Sequence, residues 1–409
     1  MKKSIKLPPK VHMLMERLNN DGCQAYAVGG CIRDSVLGRK PNDWDICTDA
    51  KPDQIEKLFS DFKCVAVGKA HGTIGVIADG VCYEITTFRQ EGGYTDNRHP
   101  DWVSFTKDVK QDLARRDFTI NAMAYHPDAG LIDPNGGLED CRMGIVRCVG
   151  IPAVRFEEDG LRSLRCVRFA SQLGFSIERE TEAAVKQQAE LLENISRERI
   201  GEEWRKAVIG NAAGRILPKF DDLIRLILAS DAVKAESLQR LDCLPVDFAV
   251  RMAYLLRKAA APEQILRRLR YSKKCSEQIL YLIEHLDIPV PKSETEIRLL
   301  LRCEQPEDLQ RLWILQGING GVQDQTQRAA QMLSQILEEG GCRSIRDLAV
   351  DGSRLIEAGI PQGRIVGEIL NALLEAVIRG NVLNEAEDLT QYAIKLRRQY
   401  EMDGESSFA

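Results

Sequence analysis

The 409-residue chain has no CxxC pair and no histidine cluster at zinc-ligand spacing: its twelve cysteines are scattered singly, and its histidines number five. That argues against a structural zinc module or an HD-type phosphohydrolase, and predicts reduced thiols rather than a disulfide framework. Long apolar runs are missing too. The opening MKKSIKLPPK has no apolar stretch behind its lysines, so secretion and membrane insertion are not expected and a cytoplasmic setting is. An excess of positive charge is also lacking. With 56 Lys and Arg against 61 Asp and Glu the net charge is −5, which argues against a protein that coats nucleic acid but leaves room for one confined basic surface. There is no fixed-period repeat, no GxGxxG turn of the dinucleotide-binding type, and nothing that calls for an obligatory protein partner.

What the chain does have is length for two to four domains and a change of character along it. Up to about Gly150, β-rich runs (QAYAVGG, DWDICT, CVAV, TIGVIAD, VCYEITTF) mix with short helical ones and are bounded by Gly, Asp and Lys turns. This predicts an α/β N-terminal head with a small mixed sheet. From Pro152 onward apolar residues recur at three- and four-residue spacing, as in FDDLIRLILAS and GRIVGEILNALLEAVIRG, which predicts an all-α remainder. The expected division is a catalytic head at 1–150, a neck at 151–215, a body at 216–300 and a tail at 301–409.

The stretch YAVGGCIRDSVLGRKPNDWDICT, Tyr26 to Thr48, suggests chemistry. Residues two apart in a strand face the same side, so Asp43 and Asp45 would present two carboxylates to one point, as a divalent-metal site requires. Alone, such a pair is more often two solvated acids. Here Gly29 and Gly30 end the preceding strand and a helix begins at once, so backbone N–H groups and Arg33 are expected to aim where a triphosphate could lie. Glu84 either adds a third carboxylate to the metals or is a strand acid beside Arg89.

In EEDGLRSLRCVRFASQLGF, Glu157 to Phe175, the apolar row Leu161, Leu164, Val167, Ala170 and Leu173 runs beside the charged row Asp159, Arg162, Arg165 and Arg168. One helix with a buried stripe beside an ionic one is expected. Salt bridges along a solvated face would account for the charges. So would recognition of a base. Asp159 can only accept and Arg162 can only donate, which suits the Watson–Crick edges of cytosine and adenine. Uracil and guanine would set a carbonyl oxygen against the carboxylate, at a cost of about 1–3 kcal/mol. The segment ARRDFTINAM is expected to be a helix whose early residues Arg115, Arg116 and Asp117 face the cleft, with a capping role for Asp117 as the plainer account.

With GGCIRD, DWDICT, LARRDFTINAMA and the Glu157–Phe175 stretch in this order and spacing, the chain resembles the class II tRNA nucleotidyltransferases, which include CCA-adding enzymes and bacterial poly(A) polymerases. The resemblance implies a polymerase-β-like nucleotidyltransferase head followed by helical neck, body and tail. It implies template-independent addition of C, C and A to the 3′ end of tRNA from CTP and ATP, with two Mg²⁺ ions held by Asp43 and Asp45. It further implies that Asp159 and Arg162 read the base, while Gly30, Arg33, Arg116, Arg165 and Arg168 contact the nucleotide. Poly(A) polymerase and an enzyme adding only the terminal A stay open as alternatives. A non-catalytic tRNA-binding protein is a third, against which the intact Asp43, Asp45, Asp159 and Arg162 speak. The polar stretch Phe88 to Trp102 reads as a mobile loop of full length, which favours addition of the A.

Between Arg251 and Lys274 stand eight basic residues against one acid. A solvated helix face explains most such runs. With a polyanionic substrate, Arg267, Arg268, Arg270, Lys273 and Lys274 become the candidates for contact with the tRNA backbone.

Overall fold

The computed structural model describes residues 5–405 apart from Val67 and residues 95–99, with side chains as far as Arg398. Five residues of the expected mobile loop therefore lie outside the described residues. The chain divides into two units, Met1–Ser276 and Glu277–Ala409.

Among the described residues the first unit carries eleven strands: β1 (Ala25–Val28), β2 (Asp45–Thr48), β3 (Lys63–Val65), β4 (Thr73–Ala78), β5 (Val81–Thr87), β6 (Arg89–Gly92), β7 (Trp102–Phe105), β8 (Ala124–His126), β9 (Gly130–Ile132), β10 (Ile145–Val146) and β11 (Ser176–Ile177). Seven of them form one mixed sheet in the order β3-β4-β5-β2-β1-β8-β9, so β2 lies at its centre. β2 runs parallel to β5 and antiparallel to β1. Its Ile46 and Cys47 are buried with Ile74, Val76 and Ile85 of the neighbouring strands. The helix Pro9–Asn20 adds Val11, Leu14, Met15 and Leu18, an apolar stripe at helical spacing. β4 and β5 are joined by Asp79 and Gly80, at φ +50° and +78°, the two-residue turn with positive φ at both positions whose twist matches a hairpin.

Two expected helices differ. In LARRDFTINAMA the helix Val109–Ala114 stops before Arg115, a 3₁₀ turn covers Thr119–Asn121 and β8 begins at Ala124. The Asp117 carboxylate takes the Phe118 N–H at 2.8 Å and the Asn121 amide at 3.2 Å, and such local bonds compete with the helical ladder. Phe118 also bridges to Cys148 as a strand would. The second difference lies in the Glu157–Phe175 stretch, which forms two helices, Pro152–Glu158 and Leu161–Leu173. Between them Asp159 is extended and its Oδ1 accepts the Leu161 N–H at 3.1 Å. The charged row is thus divided by the break, with Asp159 at the joint. Leu161, Leu164, Val167 and Ala170 are buried as the apolar row requires.

The second unit is helical. Leu355, Ile369, Leu373, Leu389 and Ala393 form one of its cores, and the amide of the buried Gln316 donates to the carbonyls of His285, Leu286 and Ile288. Among the described residues no helix is long and apolar enough to cross a membrane.

A Cβ on Gly160 would fall 2.8 Å from the Leu191 carbonyl oxygen. Gly160→Ala is therefore expected to destabilise the first unit by about 1–3 kcal/mol, read as a lower urea midpoint; an unchanged midpoint would show that the joint can open without cost.

Candidate active site

Asp45 opens β2, and the pairing of Ile46 with Ile85 in the parallel ladder sets Glu84 next to it on the same face. Burial is the main cause that raises the Asp45 carboxyl to a pKa of about 6; the charges of Asp43 and Glu84 add to it and Arg116 opposes. Asp43 is exposed and precedes the strand, so the two aspartates are not presented by one strand as expected, although the charge of Asp43 is felt at Asp45. Among the described residues no group of three candidate ligands is placed to hold a metal ion, so Glu84 is not assembled with Asp43 and Asp45 as a ligand set. Two carboxylates still fit Mg²⁺, which is commonly bound through one or two of them with positions left for substrate oxygens.

Asp45 and Glu84 line a cavity of about 330 Å³, and Asp159, Arg162, Arg165, Arg115, Arg116 and Asp117 line it too. The acids and the proposed base-reading residues thus open onto one hollow. The Arg162 N–H donates to the Asp159 carbonyl at 2.9 Å, but their side chains are not each other's partners. Asp159 Oδ2 pairs with Arg199 at 3.0 Å, whereas Arg162 Nη1 is taken by Glu158 and by the Arg155 carbonyl. Arg162 Nη2 keeps only a long contact, 3.5 Å, to the Arg115 carbonyl. Each residue is held by the protein with part of its hydrogen-bonding capacity left towards the cavity.

Arg115, Arg116 and Asp117 stand in the turn after Ala114 and face the cavity without being helical. The fully buried Asp112 accepts from Arg115 at 2.7 Å and from Arg116 at 3.2 Å. Burial alone would raise the Asp112 pKa, but Arg116 and Arg115 outweigh it and hold it below the usual range. Gly29, at φ +87°, leaves room for Arg116, whose Nη1 lies 3.2 Å from where a Cβ would stand. Asp117 Oδ2 binds Arg165 at 2.6 and 3.0 Å.

Gly30, Arg33 and Arg168 are not brought to the cavity wall. Arg33 is bound to its neighbour Asp34 and, at 2.7 Å, to Asn121. Arg168 is bound to the buried Glu203 and lies 3.7 Å from the Phe169 ring centre, a ring that Arg33 and Arg165 also approach. These groups brace the wall from behind. Arg89 pairs with Glu91, not Glu84. Of the basic run, Arg251 is buried and donates to the carbonyls of Val208, Gly210, Leu244 and Pro245; Arg267, Arg268, Arg270, Lys273 and Lys274 are exposed. The sequence reading missed Asp112, Glu158, Arg199 and Glu203. Asp112, three and four residues before Arg115 and Arg116, and Glu158, four residues before Arg162, had a local signal; Arg199 is 40 residues from Asp159.

Residues 25–147 match the model of the poly A polymerase head domain, 174–227 that of the probable RNA- and SrmB-binding site of polymerase A, and 249–393 that of the putative tRNA nucleotidyltransferase domain 2. The chain is 36% identical over 396 residues to a CCA-adding enzyme of Bacillus licheniformis, covering 93% of this chain and 96% of that one. It is 34% identical over 389 residues to a CCA-adding enzyme of Leuconostoc mesenteroides, covering 93% and 94%. The crystal structure of the Bacillus stearothermophilus CCA-adding enzyme in complex with CTP superposes with a TM-score of 0.81 at 33% identity, covering 97% of this chain and all of that one.

Burial would raise the Asp117 carboxyl, but Arg165, Asn121 and the Phe118 N–H bring it to about 2. A depressed pKa contributes stability above the unfolded value, near 4, and loses it as pH falls towards 2. Asp117→Asn is expected to cost about 2 kcal/mol at neutral pH, and the gap to the parent in urea unfolding should narrow below pH 4; a gap independent of pH would deny the Asp117–Arg165 pair this role.

Proposed function

Because the chain belongs to the family of CCA-adding enzymes, which are tRNA nucleotidyltransferases, we propose that the shared cavity is where CTP and ATP are selected and joined to the tRNA 3′ end. The enzyme adds C, C and A to that end, and its chemistry uses divalent metal ions. The observation that supports the site assignment is that Asp45 and Glu84 open onto the same hollow as Asp159 and Arg162.

Asp43 and Asp45 would hold two Mg²⁺, with Glu84 standing next to Asp45 on the same face of the sheet. Bound there, the ions would acidify the tRNA terminal hydroxyl and compensate the charge gathering on the departing pyrophosphate. The chain's own groups position the reactants. Arg116, fixed by Asp112, and Arg165, fixed by Asp117, present guanidinium groups to the nucleotide with little ordering left to do. Gly30, Arg33 and Arg168 act on the nucleotide by supporting that wall.

Asp159 accepts the amino group of cytosine or adenine, and Arg162 donates to the adjacent ring nitrogen. Uracil and guanine offer a carbonyl oxygen to the carboxylate and are refused. Arg199 holds the Asp159 carboxylate in one orientation, so it belongs to the same device. The exposed basic residues from Arg267 to Lys274 meet the tRNA backbone and read its shape, in the cytoplasm where tRNA is found. The poly(A) polymerase alternative has the polymerase A matches at residues 25–147 and 174–227 in its favour, whereas likeness to CCA-adding enzymes runs along more than nine-tenths of the chain.

The decisive assay gives the enzyme tRNAs lacking the last one, two or three nucleotides, with each nucleoside triphosphate alone and together. Incorporation of C, C and A and then arrest is expected; a lengthening A-tract would favour the polymerase. Asp45→Ala should slow the first addition by at least ~10³-fold with an unchanged melting temperature. Asp159→Ala, and to a smaller degree Arg199→Ala, should narrow the CTP-over-UTP ratio of kcat/KM by about 10-fold or more. If both variants discriminate as sharply as the parent, the base is read elsewhere.

A further inference from the structure

Three guanidinium groups gather around one ring. Arg168 lies 3.7 Å from the centre of Phe169, and Arg33 and Arg165 stand at 5.3 and 5.5 Å. Each keeps a carboxylate of its own, Asp34 for Arg33, Asp117 for Arg165 and Glu203 for Arg168, so the ring is not needed to neutralise them. What it adds is direction. The face of an aromatic ring is negative and its edge positive, so a cation is drawn to a definite side of it.

Of the three arginines only Arg165 lines the cavity, and its side chain is 33% exposed where those of Arg33 and Arg168 are 11% exposed. Asp117 grips it through a single oxygen, Oδ2, which accepts from Nε at 3.0 Å and from Nη2 at 2.6 Å. A planar group held along one edge by one atom can still tilt about that atom. The remaining nitrogen, Nη1, approaches Glu203 at 3.7 Å, beyond hydrogen-bond reach. The Phe169 ring, one helical turn further on and on the same side of the helix, limits the tilt. Phe169 is itself held, being 6% exposed and edge-on to the fully buried Phe118 at 5.7 Å between centres. Since Phe118 directly follows Asp117, one dipeptide supplies both the acceptor for Arg165 and the packing surface for the ring beside it.

We propose that Phe169 is a positioning residue for nucleotide addition, its ring setting the plane in which Arg165 meets the incoming CTP or ATP. The proposal rests on the reading of Arg165 as a nucleotide contact. Arg165 enters the encounter already oriented, and the ordering cost avoided is gained as nucleotide binding. Base choice stays with Asp159 and Arg162.

The test replaces Phe169 by phenylalanines carrying one, two or three ring fluorines, which keep the shape of the ring while withdrawing negative charge from its face step by step. KM for CTP and for ATP should climb with each fluorine, to about 5-fold for three, with kcat within about twofold of the parent. Phe169→Leu, which keeps apolar bulk without a ring, should raise KM at least as far. The CTP-over-UTP ratio of kcat/KM should stay at the parent value throughout. A KM that is flat across the fluorine series overturns the proposal, and so does a lower urea midpoint with KM unmoved, the result of a ring that only fills space. A fall in the CTP-over-UTP ratio at constant KM overturns it in favour of a part in reading the base. Arg165→Ala separates the two layers of the argument: an unchanged KM there refutes the contact between Arg165 and the nucleotide and the proposal with it, whereas a raised KM beside a flat fluorine series refutes the role of Phe169 alone.

Discussion

The bond between Asp117 and Arg165 is the constraint on which the cavity depends. Asp117 belongs to the turn that follows the first Arg pair, and Arg165 to the helix that follows the base-reading joint. Joining them ties the side of the cavity that holds Asp45, at the start of β2, to the side that holds Asp159 and Arg162. The tie continues from Asp117 to Asn121 and Arg33 on one side, and from Arg165 to Glu203 and Arg168 on the other. A buried ion pair adds little net stability once desolvation is counted, and its usefulness here lies in allowing one geometry.

The fold was legible where periodicity carried it. The strands around Asp45 and the apolar row of Leu161, Leu164, Val167 and Ala170 follow from alternation and helical spacing, because burial imposes both patterns on the sequence. The helix expected over Arg115–Asp117 failed for a reason that periodicity does not record: a side chain that bonds its own neighbours can end a helix whose pattern would let it continue. The break at Asp159 has a similar cause, together with the close approach of Leu191 to Gly160. The site was legible in its residue types and less so in its partners. Arg33 and Arg168 were legible as basic groups, yet whether a guanidinium faces a cavity or a carboxylate is decided by groups such as Glu203 and Asn121 far away in sequence.

An acidic protein that handles two kinds of polyanion has to ration exposed positive charge, and the structure does so by pairing. Each arginine around the smaller cavity stands beside an acid that sets its direction. Arg197, Arg267 and Arg268, which line a separate hollow of about 680 Å³, have no carboxylate partner among the described residues. Pairing favours accuracy, since a tethered guanidinium offers a base or a phosphate a definite angle. Leaving arginines unpaired favours attraction and tolerance, which suits a backbone common to all tRNAs.

The tight connection at Asp79 and Gly80 has a bearing on chemistry that takes place at the other end of its hairpin. Side chains along a strand alternate between the two sides of the sheet, so one extra residue at that corner would shift β5 by a single step against β4 and β2 and turn Glu84 away from Asp45 towards the packed interior, bringing a neighbour such as Tyr83 or Ile85 into its place. The number of residues in a bend at the far end of the hairpin thus determines whether a second carboxylate stands beside Asp45 at all.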